Sequence, residues 1–474
     1  MIRPLEIVER VFWGKPEKEL DLPLLVFGNG RRFTAEDAFR NLLYIGSQGS
    51  GKTSSARTLY RAFLKEQFGG LVLCVKDSQL KEFLALCQEC GRAADLIVFG
   101  PGEKHVFNPL EGASIGEATS LLVEIGEVLS ERGRSGISEN EAFWRQQCEM
   151  ILRNLLVLCK LVYDRLEIPG VSNLFGARAN TINQLVDPAW RQKSVLASAL
   201  EMAEKQAEHN TDARLAVAYF TRDFPALGDR LQGSVAASVS GILEHLRHLP
   251  LADLLGGRST FTMRDLLYRG KICVVGMPAL GSDEKKISAD EGKIANGVLQ
   301  FCFLRAATKA QREKTNTFLI SDECQETVSG ELRRKLSVLR EYRVATVLLT
   351  QNLAVMDARL GKEQREAILS NCKTKIFLQQ DHAETREWAA QQIGKVKRER
   401  PTDSTQWGRG APTFGESRQM IDEDLVPPTA FAKLKTGGPE NDLKVESIVL
   451  HGQWVSREWW HQEQPGKDGT VRIG

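Results

Sequence analysis

The chain lacks any uncharged apolar run of about 18 residues, the length that a membrane-crossing helix requires. Its most apolar helical stretch, EMILRNLLVLCKLVYDRL, is interrupted by Arg153, Lys160 and Asp164. The opening MIRPLEIVERVFW lacks the apolar centre of a secretion signal. The expectation is therefore a cytoplasmic chain with no transmembrane segment. Charge of one sign is also missing: the formal net charge is +2 over 474 residues. General basicity thus offers no hold on nucleic acid, and any such hold must come from local patches or from charge focused by assembly. Among nine cysteines there is one C-x-x-C, Cys87 and Cys90. No second pair or nearby histidine completes a zinc set, so two neighbours on one helix face is the simpler reading. Other cysteines, such as Cys74, Cys273 and Cys302, sit in apolar runs, as reduced buried thiols do. The histidines show no metal spacing, and no internal repeat is found.

What is present is the composition of a soluble globular protein, 42% hydrophobic and 26% charged. The length exceeds what one compact core holds. Seven short apolar runs recur: NLLYIG (41–46), GLVLCVKD (70–77), DLIVFG (95–100), KICVVGMP (271–278), NTFLISDE (316–323), ATVLLTQN (345–352) and TKIFLQQD (374–381). They are continuous rather than alternating, as strands buried on both faces are. Helical segments separate them, as parallel crossovers require. From 115 to 255 the periodicity is helical. Trp144, Cys148, Ile151, Leu155, Leu158 and Val162 fall on one face. The fold class expected is α/β, a mostly parallel sheet with an inserted all-helical domain. The expected division is 1–114, 115–255, 256–460 and a tail, 461–474. GSDEKKISADEG (281–292) and RPTDSTQWGRGAPTFGES (400–417) read as loops, and the chain after Gln464 as disordered.

The stretch YIGSQGSGKTSSARTL contains G-x-x-x-x-G-K-T between a strand and a helix. Gly46, Gly49 and Gly51 let the backbone turn tightly and aim its N–H groups inward. Those amides, from Gly46 through Ser47, Gln48, Gly49, Ser50 and Gly51 to Lys52, Thr53 and Ser54, make a cradle for phosphates at a helix N-terminus. Lys52 is placed to reach the β- and γ-phosphates, and the Thr53 hydroxyl to meet Mg²⁺. ATP and Mg²⁺ are the implied ligands. FLISDE then supplies carboxylates at a strand end: Asp322 for the metal shell and Glu323 to polarise the attacking water. Kinases and small GTPases position their nucleophile differently, so the Asp-Glu doublet points to a hydrolase that forms rings.

With these motifs in order, the sequence resembles the TraG/TraD-like coupling proteins of type IV secretion, within the FtsK/HerA group of DNA-pumping, RecA-like P-loop ATPases. The resemblance runs from about Leu42 to Val449. It includes FGPGEKHVFNPLEG, FWRQQCEMILRNLL, GSVAASVSGILEHL, LSVLREYRVATVLLTQN and ILSNCKTKIFLQQDHAETREWAAQQIG. It implies that Gln351 senses the γ-phosphate and that Arg340 reaches the neighbouring subunit's site, with Arg343 and Arg333 as rivals. Asn371 is read as structural. Where the family has Asp-Pro-Lys, this chain has VKDSQ, in which Lys76 and Asp77 stand as partial replacements.

The resemblance also implies a homo-hexameric ring that hydrolyses ATP and moves DNA, single- or double-stranded. Relaxase, relaxosome or secretion-channel proteins would be its partners, and a partner would dock it peripherally at the bacterial inner membrane. Two other readings stay open: an ATP-gated cargo-docking platform with little turnover, and a soluble HerA-like or genome-packaging motor. GKVKRER (394–400) and RRK (333–335) read as solvated helix faces or a DNA-facing stripe. The tryptophans of QWVSREWWHQ read as packing of a terminal strand rather than base stacking.

Overall fold

The computed structural model describes residues 3–4, 21–129, 139–310, 314–406, 413–462, 464–465 and 471–472. The chain divides into two compact units. One holds 1–62, 347–357 and 369–474; the other holds 63–346 and 358–368. In chain order the longer strands and their forerunners are β1 (Arg3–Pro4), β2 (Pro23–Val26), β3 (Arg32–Thr34), β4 (Leu42–Ile45), β5 (Gly69–Leu73), β6 (Leu96–Phe99) and β7 (Ile272–Val275). They continue with β8 (Thr317–Ser321), β9 (Val344–Thr350), β10 (Thr374–Phe377), β11 (Lys395–Gln406), β12 (Thr413–Asp424), β13 (Lys444–His451) and β14 (Trp454–His461). The helices used below are α1 (Lys52–Lys65), α2 (Asp77–Glu89), α3 (Ile115–Leu129), α4 (Glu139–Tyr163), α5 (Asp229–Arg247), α6 (Ala289–Lys309), α7 (Gly330–Lys335), α8 (Leu353–Leu360) and α9 (Ala383–Ile393).

All seven continuous apolar runs form strands. In the first unit the order is β14-β13-β10-β4-β9. There β4 pairs in parallel with β10 and with residues 347–350 of β9, while β13 runs antiparallel to β10 and β14. In the second unit β8, β5, β7 and β6 lie side by side, all parallel. Every residue of β4, β5, β7, β8, β9 and β10 is buried. Two-sided burial is why these strands read as continuous rather than alternating runs.

Between β6 and β7 the described residues form helices and turns. They include α3, α4, Val195–Gln206, α5, Leu251–Gly256 and, last before β7, Met263–Tyr268, all in the second unit. On α4, Ile151, Leu155 and Leu158 are fully buried, on the face that the spacing predicts. The polar run 281–292 is a loop only as far as Ser288. Ser288 and Glu291 form a reciprocal capping box that starts α6 inside it.

A larger correction concerns 400–417. Its described residues are not loop but lie in β11 and β12, an antiparallel pair in register from Lys395↔Asp424 to Gln406↔Thr413. GKVKRER accordingly lies on a strand, not a helix face, whereas RRK is on α7. Residues 407–412 lie outside the described residues. After Gln464, Gln464–Pro465 pairs with Val471–Arg472, and the rest of the tail lies outside the described residues.

The terminal tryptophans pack. Trp460 is buried and donates to Ser447 Oγ at 2.7 Å. Trp454 lies against Phe27, with ring centres 4.8 Å apart, and Trp459 lies beneath Lys435. In the second unit, Phe63 stacks on Phe68 and on Phe318 at 5.1 and 5.7 Å. Burial of each such ring is worth about 2–3 kcal/mol. Among the described residues, no helix is long and apolar enough to cross a membrane.

Candidate nucleotide site

The phosphate loop grows from the buried strand β4. Past Ile45 the chain turns at Gly46, crests at the exposed Gln48 and Gly49, and enters α1 at Lys52. Gly49 and Gly51 have φ of 76° and 86°, a region that favours glycine. At Gly51 space is limiting as well, since a Cβ would lie 2.5 Å from Val445 Cγ2. The buried Lys52 side chain folds back over the loop, donating to the carbonyls of Gly46 at 2.7 Å and Ser47 at 3.1 Å. An ammonium held among backbone dipoles at a helix start, with a loop of the phosphate-binding shape beneath it, fits an anionic ligand. Ser50 Oγ is buried and finds no hydrogen-bond partner among the described residues.

The loop is latched from one side by the chain that follows β10. Ser47 N donates to Gln379 O at 2.8 Å, and Asp381 N donates to Ser47 Oγ at 2.8 Å. Ser47 Oγ in turn lies 3.2 Å from Gln380 Oε1, to which it donates. Gln380 is buried. Its Nε2 donates to Gln351 O at 2.9 Å, and its Oε1 also accepts from His382 N at 3.0 Å. Gln351, half-buried at the end of β9, thus shares a neighbour with the phosphate loop. Sequence reasoning missed Gln380. Its only signal was a second polar residue at the end of an apolar run, FLQQD.

The carboxylates belong to the second unit. Asp322 and Glu323 follow β8 and are both buried. Asp322 Oδ1 accepts from Glu323 N at 2.9 Å. Glu323 itself has φ 50° and ψ 54°, left-handed backbone that costs a non-glycine residue about 1–3 kcal/mol. Its side chain is held from two sides: Gln325 Nε2 donates to Oε2 at 3.1 Å, and Lys76 Nζ lies 3.5 Å from Oε1. Lys76 of VKDSQ therefore faces the glutamate. Its neighbour Asp77 instead pairs with Lys285 at 3.2 Å. Burial alone would raise the Asp77 pKa, but bonds to Ser282 and Lys285 outweigh it and hold the carboxyl below its ordinary value.

Of the three candidate arginines, Arg340 is exposed in the turns after α7. Arg343 is half-buried with φ 50°, and its carbonyl accepts from Thr317 N. Arg333 is half-buried on α7, where burial pulls its pKa down and Glu124 and Glu127 oppose that pull. The same helix is tied to α3. The buried Glu124 accepts from Glu331 N at 3.1 Å through Oε1 and from Arg334 Nη2 at 3.1 Å through Oε2. The backbone carbonyl of Asn371 accepts from Asn41 Nδ2 at 3.1 Å.

A mostly parallel sheet, a glycine phosphate loop after one strand and an Asp-Glu pair after another define a RecA-like P-loop nucleotide-binding fold. Residues 316–436 match the family model described as the TraM recognition site of TraD and TraG. The structure of the plasmid coupling protein TrwB in complex with ADP and Mg²⁺ is similar to this chain with a TM-score of 0.63 at 14% identity, covering 98% of this chain and 94% of that one. The unbound monoclinic form of the bacterial conjugative coupling protein TrwBdeltaN70 gives 0.61 at 13%, covering 98% and 93%. VirB4 of Thermoanaerobacter pseudethanolicus gives 0.53 at 14%, covering 95% and 98%. At these identities the structures establish the fold. No curated protein matches by sequence. Residues 316–436, from β8 to beyond β12, are thus similar to a segment of TraD and TraG, and a fold like that of TrwB extends over nearly all of the chain.

Proposed function

We propose that this chain is the ATPase of a conjugative or type IV secretion system, hydrolysing ATP in a ring of identical subunits to move DNA. The observation that carries this reading is the joint presence of a phosphate loop closed by its own lysine and a buried Asp-Glu pair, in a chain with a segment similar to TraD and TraG. Lys52 and the loop amides bind the triphosphate. Thr53 and Asp322 would hold Mg²⁺, which when bound offsets phosphate charge. Glu323 orients a water and takes its proton as the water oxygen bonds to the γ-phosphorus and the bond to the ADP oxygen breaks. Gln351 reads the γ-phosphate. Arg340, exposed as a residue serving a neighbouring subunit must be, completes that neighbour's site. The TrwB complexes with ADP and Mg²⁺ and with a non-hydrolysable ATP analogue support ATP and Mg²⁺ here.

The helices between 115 and 255 select partners of the relaxosome class in this reading; the model described as a TraM recognition site matches 316–436, outside them. Ile182 and Val186, 57% and 70% exposed, offer apolar surface for this. Replacing both with Asp should weaken capture of a relaxosome protein encoded beside this chain without changing basal turnover; unchanged capture would contradict the assignment.

The test of the whole reading is ATP turnover without DNA, with single-stranded DNA and with duplex DNA. It should be run at micromolar protein, with Glu323→Gln as control. Stimulation by DNA that the substitution abolishes is expected. A second reading, an ATP-gated docking platform, draws support from Glu323 being held by Lys76 and Gln325 and from the near-zero net charge. Tight ATP binding with negligible turnover in all three conditions would favour it.

A further inference from the structure

We propose that Gln380 is a positioning residue that makes the phosphate loop and Gln351 respond together to the γ-phosphate. The inference rests on the reading of Gln351 as the γ-phosphate sensor and adds the residue through which it acts.

Three observations carry it, all within one compact unit. First, the Gln380 side chain is only 3% exposed, and both ends of its amide are engaged. Second, the two ends point at different parts of the candidate site. Oε1 accepts from the hydroxyl of Ser47, second residue of the phosphate loop, at 3.2 Å, while Nε2 donates to the carbonyl of Gln351 at 2.9 Å. Third, the segment carrying Gln380 is fixed on both sides. Gln380 N donates to Phe431 O at 3.1 Å, and His382 N returns to Oε1 at 3.0 Å. The amide is thus a short rigid link between the loop that would hold phosphate and the residue that would sense it.

A neutral amide suits this task. It offers a donor and an acceptor at once, which a carboxylate or a methyl cannot do. A ligand oxygen that draws on the Ser47 hydroxyl or backbone shifts one end of the link, and the Gln351 backbone at the other end must follow or lose its bond. A buried amide left unpaired costs more than the bond is worth, so the two ends favour moving together. The expected consequence is discrimination: the link improves ATP binding and turnover relative to ADP, not nucleotide affinity in general.

The experiment uses the full chain and four variants: Gln380→Glu, Gln380→Met, Ser47→Ala and Glu323→Gln. Gln380→Glu keeps an acceptor for Ser47 and His382 N but sets a carboxylate against the Gln351 carbonyl. The readouts are kcat and KM for ATP, Kd for ADP and for a non-hydrolysable ATP analogue, and thermal melting. For Gln380→Glu the expected result is a fall in kcat of about tenfold, a Kd for ADP within about threefold of wild type, and loss of the preference for the analogue. Gln380→Met should repeat the loss, and combining it with Ser47→Ala should cost less than the product of the single effects.

Equal weakening of ADP and analogue binding in Gln380→Glu would overturn the proposal, because that is what simple distortion of the loop produces. So would an unchanged kcat and preference alongside a dead Glu323→Gln. If Glu323→Gln turns over normally, the ATPase reading fails, and the analogue-to-ADP ratio in Gln380→Glu still decides the link. If the Gln380 variants do not fold, a selective loss of analogue preference in Ser47→Ala supports the link and its absence opposes it.

Discussion

The phosphate loop and the Asp-Glu turn lie at the ends of similar buried strands, β4 and β8, yet they are held in opposite ways. The loop is shaped by backbone geometry and neutral partners: two glycines at positive φ, carbonyls under Lys52 and the Gln380 amide. The turn is shaped by strain and charge: Glu323 in a left-handed conformation with a lysine 3.5 Å from its carboxylate. A binding element needs its shape before the ligand arrives, which dipoles and glycines provide at little cost. A proton acceptor, the role proposed for Glu323, needs a particular direction, for which a chain will carry local strain. The two regions should therefore fail differently when altered.

The largest expected effect breaks the binding side. Lys52→Ala should lower turnover by at least about 10²-fold through lost nucleotide binding, measured by equilibrium titration with a fluorescent nucleotide. Gly51→Ala should do likewise, since a Cβ there meets Val445. On the other side, Glu323→Gly should abolish turnover while raising fold stability by about 1 kcal/mol, because glycine accepts the left-handed backbone freely. Denaturant unfolding checks this; a loss of stability would mean that the Gln325 and Lys76 contacts outweigh the strain.

Lys314 precedes β8. It is buried, with Thr317 Oγ1 at 3.4 Å, and burial, aided by Arg343, pulls its pKa down to about 7. The folded state thus gives up this proton more readily than the unfolded chain. Stability should rise as pH increases from about 7 towards 10.5 and carry the full penalty below 7. Lys314→Met should flatten that slope and add on the order of 1–3 kcal/mol at pH 7, read from unfolding curves across the range. A loss of about 1–3 kcal/mol is expected from Glu124→Ala, because Glu331 N and Arg334 lose their shared acceptor.

Legibility in the sequence follows the same division. Six of the seven parallel strands could be read because two-sided burial writes a continuous apolar run, and β6 because it is apolar throughout although alternate residues are half-buried. The phosphate loop could be read because its residues are consecutive. The ribbon of β11 and β12 could not: it is held by a backbone ladder, and its Pro, Ser and Thr residues look like loop chemistry. The start of α6 was hidden for a different reason, since a capping box uses the same Ser, Asp and Glu that mark a polar turn. Gln380 was invisible because its partner Ser47 is 333 residues away in sequence. Likewise, nothing in FLISDE announces that Glu323 takes a left-handed conformation.

The central claim is that binding and chemistry are divided between these two regions. The most direct test titrates ATP onto Lys52→Ala and Glu323→Gln proteins and follows phosphate release from each. The account predicts that Glu323→Gln binds ATP as the wild type does and releases no phosphate, while Lys52→Ala fails to bind. Phosphate release by Glu323→Gln at the wild-type rate, or loss of binding in both variants alike, would contradict it.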